Sequence, residues 1–177
     1  MSKKIVGKKK VAVQLPAVAK RVALEERYSL ELESLEDVAE LVEVDGSSPD
    51  SFLAGARDAD ALLTSWGIKI DQQIISGLEK CAVIGVGSVG VDMVDVDAAT
   101  AAGIVVTNVP DVFIEEVADH TLMLLLACAR RSKLMDKMVN DGKWYKGRPI
   151  LEQIPRLWGQ TLGLISFGNV ATAVARR

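Results

Sequence analysis

The stretch that decides the fold is CAVIGVGSVGVDMVDVDAATAAGIVVTN, residues 81–108. It opens on a short apolar run, Cys81 to Gly85, and closes on a second, Ile104 to Asn108. Between them lie a glycine turn and one or two helical turns, Val94 to Ala102. Strands joined by a helical crossover are parallel, because a tight hairpin can join only antiparallel neighbours. Upstream the pattern repeats. Val11 to Leu15, Glu40 to Val44 and Asp60 to Thr64 read as strands. Ser48 to Ala56, with a Ser or Asp cap, and Asp71 to Leu78 read as helices, and the charged residues 17–29 as helix or loop. This alternation predicts an α/β fold on a parallel sheet.

Downstream, a long helix is expected over Val112 to Arg131, capped by Asp111. Glu115 and Glu116 suit its positive end, and Arg130 and Arg131 its negative end. Thr121 to Ala129 is almost wholly apolar, and a helix apolar on all sides is buried, here between domains or subunits. Residues 132–158 are more polar, and Trp144 and Trp158 are expected to pack between domains. Thr161 to Phe167 reads as a further strand and Asn169 to Arg177 as a helix. A lone strand and helix cannot bury their apolar faces, so this segment is expected to be poorly ordered or docked on another surface.

Composition narrows the function classes. With 49% hydrophobic residues, 25% charged and a net charge of −3, there is no electrostatic case for nucleic acid or an anionic membrane. Lys3, Lys4, Lys8, Lys9 and Lys10 form a short basic tail that reads as solvated. The apolar stretch after it is interrupted by Gln14, Pro16 and Lys20, which is wrong for a secretory signal. The run Leu122 to Ala129 is far below the ~20 residues that span a bilayer. Cys81 and Cys128 lack metal-ligand spacing and read as reduced core thiols of a cytoplasmic protein.

Two glycine loops compete for the role of a phosphate cradle. Gly85-Val86-Gly87-Ser88-Val89-Gly90 fits the dinucleotide pattern, but that pattern needs a helix directly after it. Asp92, Asp95 and Asp97 follow instead and would repel a pyrophosphate. The loop is better read as a turn whose backbone N–H groups take a small anion such as a carboxylate, with a plain structural turn as the other reading. The second loop, Ser166-Phe167-Gly168-Asn169-Val170-Ala171, lies between an apolar run and a small-residue helix. It keeps the middle glycine, places alanine third, and asks Ser166 to make the tight turn with a Cβ. From the residues alone, a cofactor loop and an ordinary strand-to-helix turn remain equally open.

Gly87-Ser88-Val89-Gly90-Val91-Asp92, Asp95, Ala98-Ala99 and Gly103 through Asn108 resemble the D-isomer-specific 2-hydroxyacid dehydrogenases. Val109-Pro110-Asp111, Glu115 through Thr121, Leu124 through Ala127, Gly142-Lys143-Trp144 and Gly159 through Arg177 continue the resemblance. The wording of the Val-Pro-Asp and Glu-Glu-Val-Ala-Asp motifs is similar to the phosphoglycerate dehydrogenase and C-terminal-binding-protein branches. The match is dense from about residue 58 onward.

That resemblance implies a flavodoxin-like substrate domain over residues 1–110, an interdomain and dimerisation connector over 111–158, and the first β-α unit of a Rossmann domain over 159–177. It implies hydride transfer between NAD and a small 2-hydroxy or 2-oxo acid. Ser88, Val89 and Gly90 would face the substrate carboxylate, with Val89 also near the nicotinamide. Gly168, Asn169 and Val170 would lie under the pyrophosphate, with Asn169 standing where the family usually has arginine, and Thr121 would lie near the nicotinamide end. The family's catalytic arginine, acid and histidine are expected downstream of Arg177, so this chain reads as an N-terminal portion. His120 matches a non-catalytic family position and could bond Glu116 one turn away. Asp92, Asp95 and Asp97 suit caps and turns better than a metal. A homodimer through the 111–131 helix is expected, and a reading of a different class is a non-catalytic binding or dimerising module of the same fold.

Overall fold

Val11, Ala12 and Val13 are all buried, so their strand is covered on both faces, as a central strand of a parallel sheet must be. In the computed structural model, which describes residues 7–15 and 23–177, this strand is β1 (Lys9–Leu15). It pairs in parallel with β2 (Ala39–Asp45) and β3 (Ala61–Thr64), setting Val11 opposite both Leu41 and Ala61. β4 (Val83–Val86) and β5 (Val105–Thr107) complete the order β2-β1-β3-β4-β5, every pair parallel. The chain runs outward from β1 to β2, then crosses back to β3 and continues the other way. Such a reversal opens a crevice at the carboxyl ends of the strands.

The crossovers are short helices: α1 (Leu24–Arg27), α2 (Ser29–Leu35), α3 (Pro49–Ala56), α4 (Gln72–Gly77) and α5 (Val96–Ala101). Three start on side-chain caps. Ser48, Asp71 and Asp95 accept from the backbone N–H of Ser51, Ile74 and Ala98, each cap stabilising by about 1 kcal/mol. On one face of the sheet Leu24, Leu32 and Leu35 cover Val11, Val13, Ala39 and Leu41. On the other, Phe52, Ile74, Ile75 and Ala99 close over Ala12, Leu62 and Ile84. Of the stretch 17–29, residues 17–22 lie outside the described residues, as do Lys3 and Lys4. Lys9 and Lys10 are not a free tail. They begin β1, with Lys9 Nζ 3.0 Å from Asp60 and Lys10 paired with Asp58.

The chain divides into two compact units, Met1–Pro110 and Asp111–Arg177. The second is helical: α6 (Ile114–Ala129), α7 (Ser132–Asn140), a 3-10 turn (Trp144–Gly147), α8 (Arg148–Glu152) and α9 (Asn169–Arg176). α9 docks on α6 through buried Ala118, Ala173 and Val174. The Arg177 guanidinium closes the contact, bonding Asp119 at 2.6 Å and Glu115.

Several expectations need correction in this unit. Residues 161–167 form no strand, because among the described residues no strand pairs with them; Ile165 and Phe167 are exposed. Asp111 does not cap α6. The helix starts at Ile114, the N-cap position is Phe113, and Asp111 lies too far upstream to reach the first free N–H groups. Within the single chain the apolar half of α6 is not covered: Met123, Leu124, Leu125 and Leu126 are exposed, and α9 packs on Ile114, Ala118 and Leu122, so the expected burial between domains or subunits is left to a partner. Trp144 and Trp158 are exposed as well. Cys128 is exposed rather than a core thiol, whereas Cys81 is partly covered and burial raises its pKa.

Candidate functional site

The carboxyl edge of the sheet gathers the exits of β3, β4 and β5. β4 ends at Val86, and the chain then turns through Gly87, Ser88, Val89 and Gly90 without entering a helix. The next helix, α5, begins only at Val96, on the Asp95 cap. That spacing removes the dinucleotide reading of this loop, because no helix dipole points at it. Asp95 is committed to the Ala98 N–H, and among the described residues no cluster of acids, histidines and cysteines is arranged to hold a metal.

Hydrogen bonding within the loop is one-sided. The Ser88 carbonyl accepts from Val109 N–H at 3.1 Å, and the Val89 carbonyl from Asn108 Nδ2 at 2.8 Å. The Gly90 carbonyl accepts from the Ser88 hydroxyl at 2.8 Å. Among the described residues, the N–H groups of Ser88, Val89 and Gly90 donate to nothing. The tied carbonyls leave three successive unspent donors, a set suited to a negative oxygen. Gly87 joins the loop to its neighbour: its N–H donates to the Thr64 carbonyl at 2.8 Å. Val89, 52% exposed, projects an apolar surface beside these donors.

Three residues that frame this edge went unremarked as functional in the sequence. Asn108 directly follows β5 and anchors Val89; an amide after an apolar strand is the signal that could have marked it. Gln14, buried in β1, accepts from Ile68 N–H at 2.9 Å and so holds the loop after β3. Trp66, in that same loop, is exposed.

The second predicted site lies in the helical unit. Ser166 has φ 69, so the serine does make the tight turn in the left-handed region, at a cost of about 1–2 kcal/mol. Gly168 is the N-cap of α9 with no side-chain cap, and nothing lies within 4 Å of where its Cβ would be. Its φ of −82 suits any residue, so neither conformation nor packing within the unit demands glycine there. The N–H groups of Asn169, Val170 and Ala171 have no acceptor among the described residues and stand at the positive end of the helix. Thr121 lies on α6, its hydroxyl donating to the Val117 carbonyl at 2.7 Å. His120 is exposed, and no bond to Glu116 forms. A groove of about 980 Å³ also opens in this unit, lined by Leu124, Cys128, Leu134, Ile150, Ile154 and Leu157.

Comparison with known proteins identifies the family and the fold. The family described as D-isomer specific 2-hydroxyacid dehydrogenase, catalytic domain, matches residues 18–177. A glyoxylate reductase of Pyrococcus furiosus is 37% identical over 134 residues, which are 72% of this chain and 39% of that protein. A D-3-phosphoglycerate dehydrogenase of Methanocaldococcus jannaschii is 38% identical over 143 residues, 81% of this chain and 27% of that protein. Among solved structures, an NADPH-dependent glyoxylate/hydroxypyruvate reductase from Sinorhizobium meliloti, in complex with NADP and malonate, superposes with TM-score 0.72 at 29% identity. That match covers 96% of this chain and 50% of the other. The chain thus spans about half the length of that solved structure and less of the curated relatives.

Proposed function

Because the chain belongs to the D-isomer specific 2-hydroxyacid dehydrogenase family, we propose that it supplies the substrate-anchoring part of an NAD-dependent oxidoreductase interconverting a D-2-hydroxyacid and its 2-oxoacid. The observation that carries this reading is the row of unspent N–H groups at Ser88, Val89 and Gly90, beside carbonyls that are all occupied. A substrate carboxylate accepts from those donors, in a setting where charge-assisted bonds are about twice as strong as neutral ones. Asn108 positions the loop through the Val89 carbonyl. The malonate and NADP bound by the Sinorhizobium relative are consistent with a small carboxylate and a nicotinamide cofactor.

The residues present suit the cofactor's phosphates. Gly168 leaves open space for close approach, and Asn169 and Val170 offer free N–H groups on the α9 dipole. A neutral Asn169 adds no positive charge there, so the backbone carries the contact. A nicotinamide, when bound, supplies the hydride donor or acceptor. Val89 would offer it an apolar surface. Thr121, whose hydroxyl proton is already given to Val117, would act toward it only as an acceptor. The exposed His120 has no hydrogen-bond partner among the described residues to orient it. We therefore assign proton transfer and carbonyl polarisation to groups outside residues 1–177. The same reading places the protein in the cytoplasm; among the described residues no helix is long and apolar enough to cross a membrane.

The test is a titration of the ¹⁵N-labelled chain, first with glyoxylate and then with NADH and NADPH. Glyoxylate is expected to shift the amides of Ser88, Val89 and Gly90, and NADH those of Gly168, Asn169 and Val170. Amides at 88–90 that stay unmoved at saturating glyoxylate would remove the substrate reading. A response to NADPH alone would correct the choice of NAD.

A second reading, as a dimerising module, is favoured by one observation, the exposed apolar residues Met123 to Leu126 on α6. We propose that a second copy of the chain covers it, forming a homodimer through the 111–131 region. This is compatible with the enzymatic reading.

A further inference from the structure

We propose that Gln14 is a positioning residue for the anion-binding turn: from the carboxyl end of β1 it pins the segment that holds the Ser88–Gly90 donors by both ends. The proposal rests on the carboxylate reading of that turn and adds what keeps its donors in place.

One neighbouring segment clamps the turn at its entry and its exit. At the entry, Gly87 N–H donates to the Thr64 carbonyl at 2.8 Å. At the exit, Ile70 N–H donates to the Met93 carbonyl at 2.8 Å, and Asp95 N–H to the Ile70 carbonyl at 2.9 Å. Ile70 and Val94 thereby form a parallel bridge. Residues 87–95 thus rest at both ends on residues 64–70. Ser88, Val89 and Gly90 lie between these ties with their N–H groups unspent among the described residues. The direction of those donors therefore depends on how firmly 64–70 is held.

Gln14 holds the middle of that segment. Its Oε1 accepts from Ile68 N–H at 2.9 Å, just before the Ile70 tie. The residue is only 9% exposed and follows three buried apolar residues, Val11, Ala12 and Val13. Burying an amide at that depth costs free energy unless it is bonded, so the Ile68 bond is not readily given up. Backbone closes on the carboxamide from both sides. A Cβ on Gly46 or on Gly67 would overlap it. Gly46 follows β2 and Gly67 follows β3, the two strands that flank β1. The carboxamide is therefore wedged where the strand order reverses. Binding groups keep their geometry when the residues behind them are locked by packing and hydrogen bonds, and Gln14 is locked by both.

A purely structural Gln14 would contribute to stability and leave the affinity of the folded chain alone. The test separates the two by measuring the glyoxylate dissociation constant, from the Ser88, Val89 and Gly90 amide shifts, alongside the urea midpoint. Gln14→Met keeps the length of the side chain and removes the acceptor. It is expected to weaken glyoxylate about fivefold or more and to speed solvent exchange of the Ile68 amide. Gly46→Ala displaces the carboxamide without removing it, is expected to weaken glyoxylate in the same way, and decides by the same criterion if Gln14→Met does not fold. Leu41→Ala, in the core on the opposite face of the sheet, is expected to lower the urea midpoint and leave the dissociation constant unchanged. Wild-type affinity in the Gln14→Met and Gly46→Ala chains, or an equal loss in Leu41→Ala, overturns the role of Gln14 and leaves the carboxylate turn standing. No shift at 88–90 in the wild-type chain overturns both.

Discussion

Thr64 is a polar residue at the end of a strand whose neighbours are apolar. Its side chain is buried on the face that carries Leu62, yet its hydroxyl has no hydrogen-bond partner. A buried, unpaired hydroxyl costs about 1–3 kcal/mol of desolvation, and valine has the same shape without that cost. Thr64→Val is therefore expected to stabilise the chain by about 1 kcal/mol, read as a higher urea midpoint at unchanged m-value. A lower midpoint would mean that the hydroxyl has a partner in solution. The same scale shows what local reading could reach. The caps at Ser48, Asp71 and Asp95 follow from a short polar side chain just before an apolar period. The amide after β5 could mark Asn108 locally, but its bond to Val89 spans 19 positions, and no local pattern names that partner.

The helix α6 shows how an element's type can be legible while its covering is not. Its extent was legible because a run rich in Leu, Ala, Met and Glu, free of glycine and proline, continues for sixteen residues. Its burial was not, because burial depends on what else packs there. Within the unit only α9 and α7 lie against it, and four consecutive residues, Met123 to Leu126, face solvent. Patches of this kind mark interaction surfaces more often than idle ones. If a second copy covers it, Leu124→Glu places a charge in the interface. Sedimentation equilibrium should then show self-association weakened by roughly tenfold or more. A wild-type chain that sediments as a monomer, or a variant that associates as tightly, would remove the dimer. The failed strand at 161–167 makes the complementary point: apolar sequence sets the tendency, and a pairing partner completes the strand.

For the whole molecule, the charges at the amino edge of the sheet act as a clasp. Asp60 accepts from Lys10 N–H at 2.9 Å and faces Lys9 at 3.0 Å and Lys80 at 3.4 Å. The Lys10 N–H bond, then the Lys9 ammonium, hold its carboxyl down to about 2. A pKa lower in the folded than in the unfolded chain stabilises above the unfolded value and stops doing so as pH falls through the folded one. The contribution is thus complete above about pH 4 and lost toward about pH 2. Urea midpoints taken at about pH 5 and about pH 3 should fall less in Asp60→Asn than in the wild type. Equal falls in both would show that the clasp is broken in solution.

Periodicity, turn residues and capping chemistry along the chain were sufficient for the α/β class, for every strand of the sheet and for the crossover helices α3, α4 and α5, but not for α2, Ser29–Leu35. These depend on neighbours within a few positions, where each residue's backbone preference and burial tendency act directly. The motifs from Gly87 to Arg131 were likewise enough to point to the family. Contacts between distant residues settled the rest. The strand order brings Thr64, Gly87 and Asn108 to one edge, and the tied carbonyls at 88–90 leave three donors free there. Packing against α9 covers one stripe of α6 and leaves the other bare. Exposure and hydrogen-bond occupancy are properties of what surrounds a residue, so Asn108 acquired its significance only when the sheet brought it beside the glycine turn.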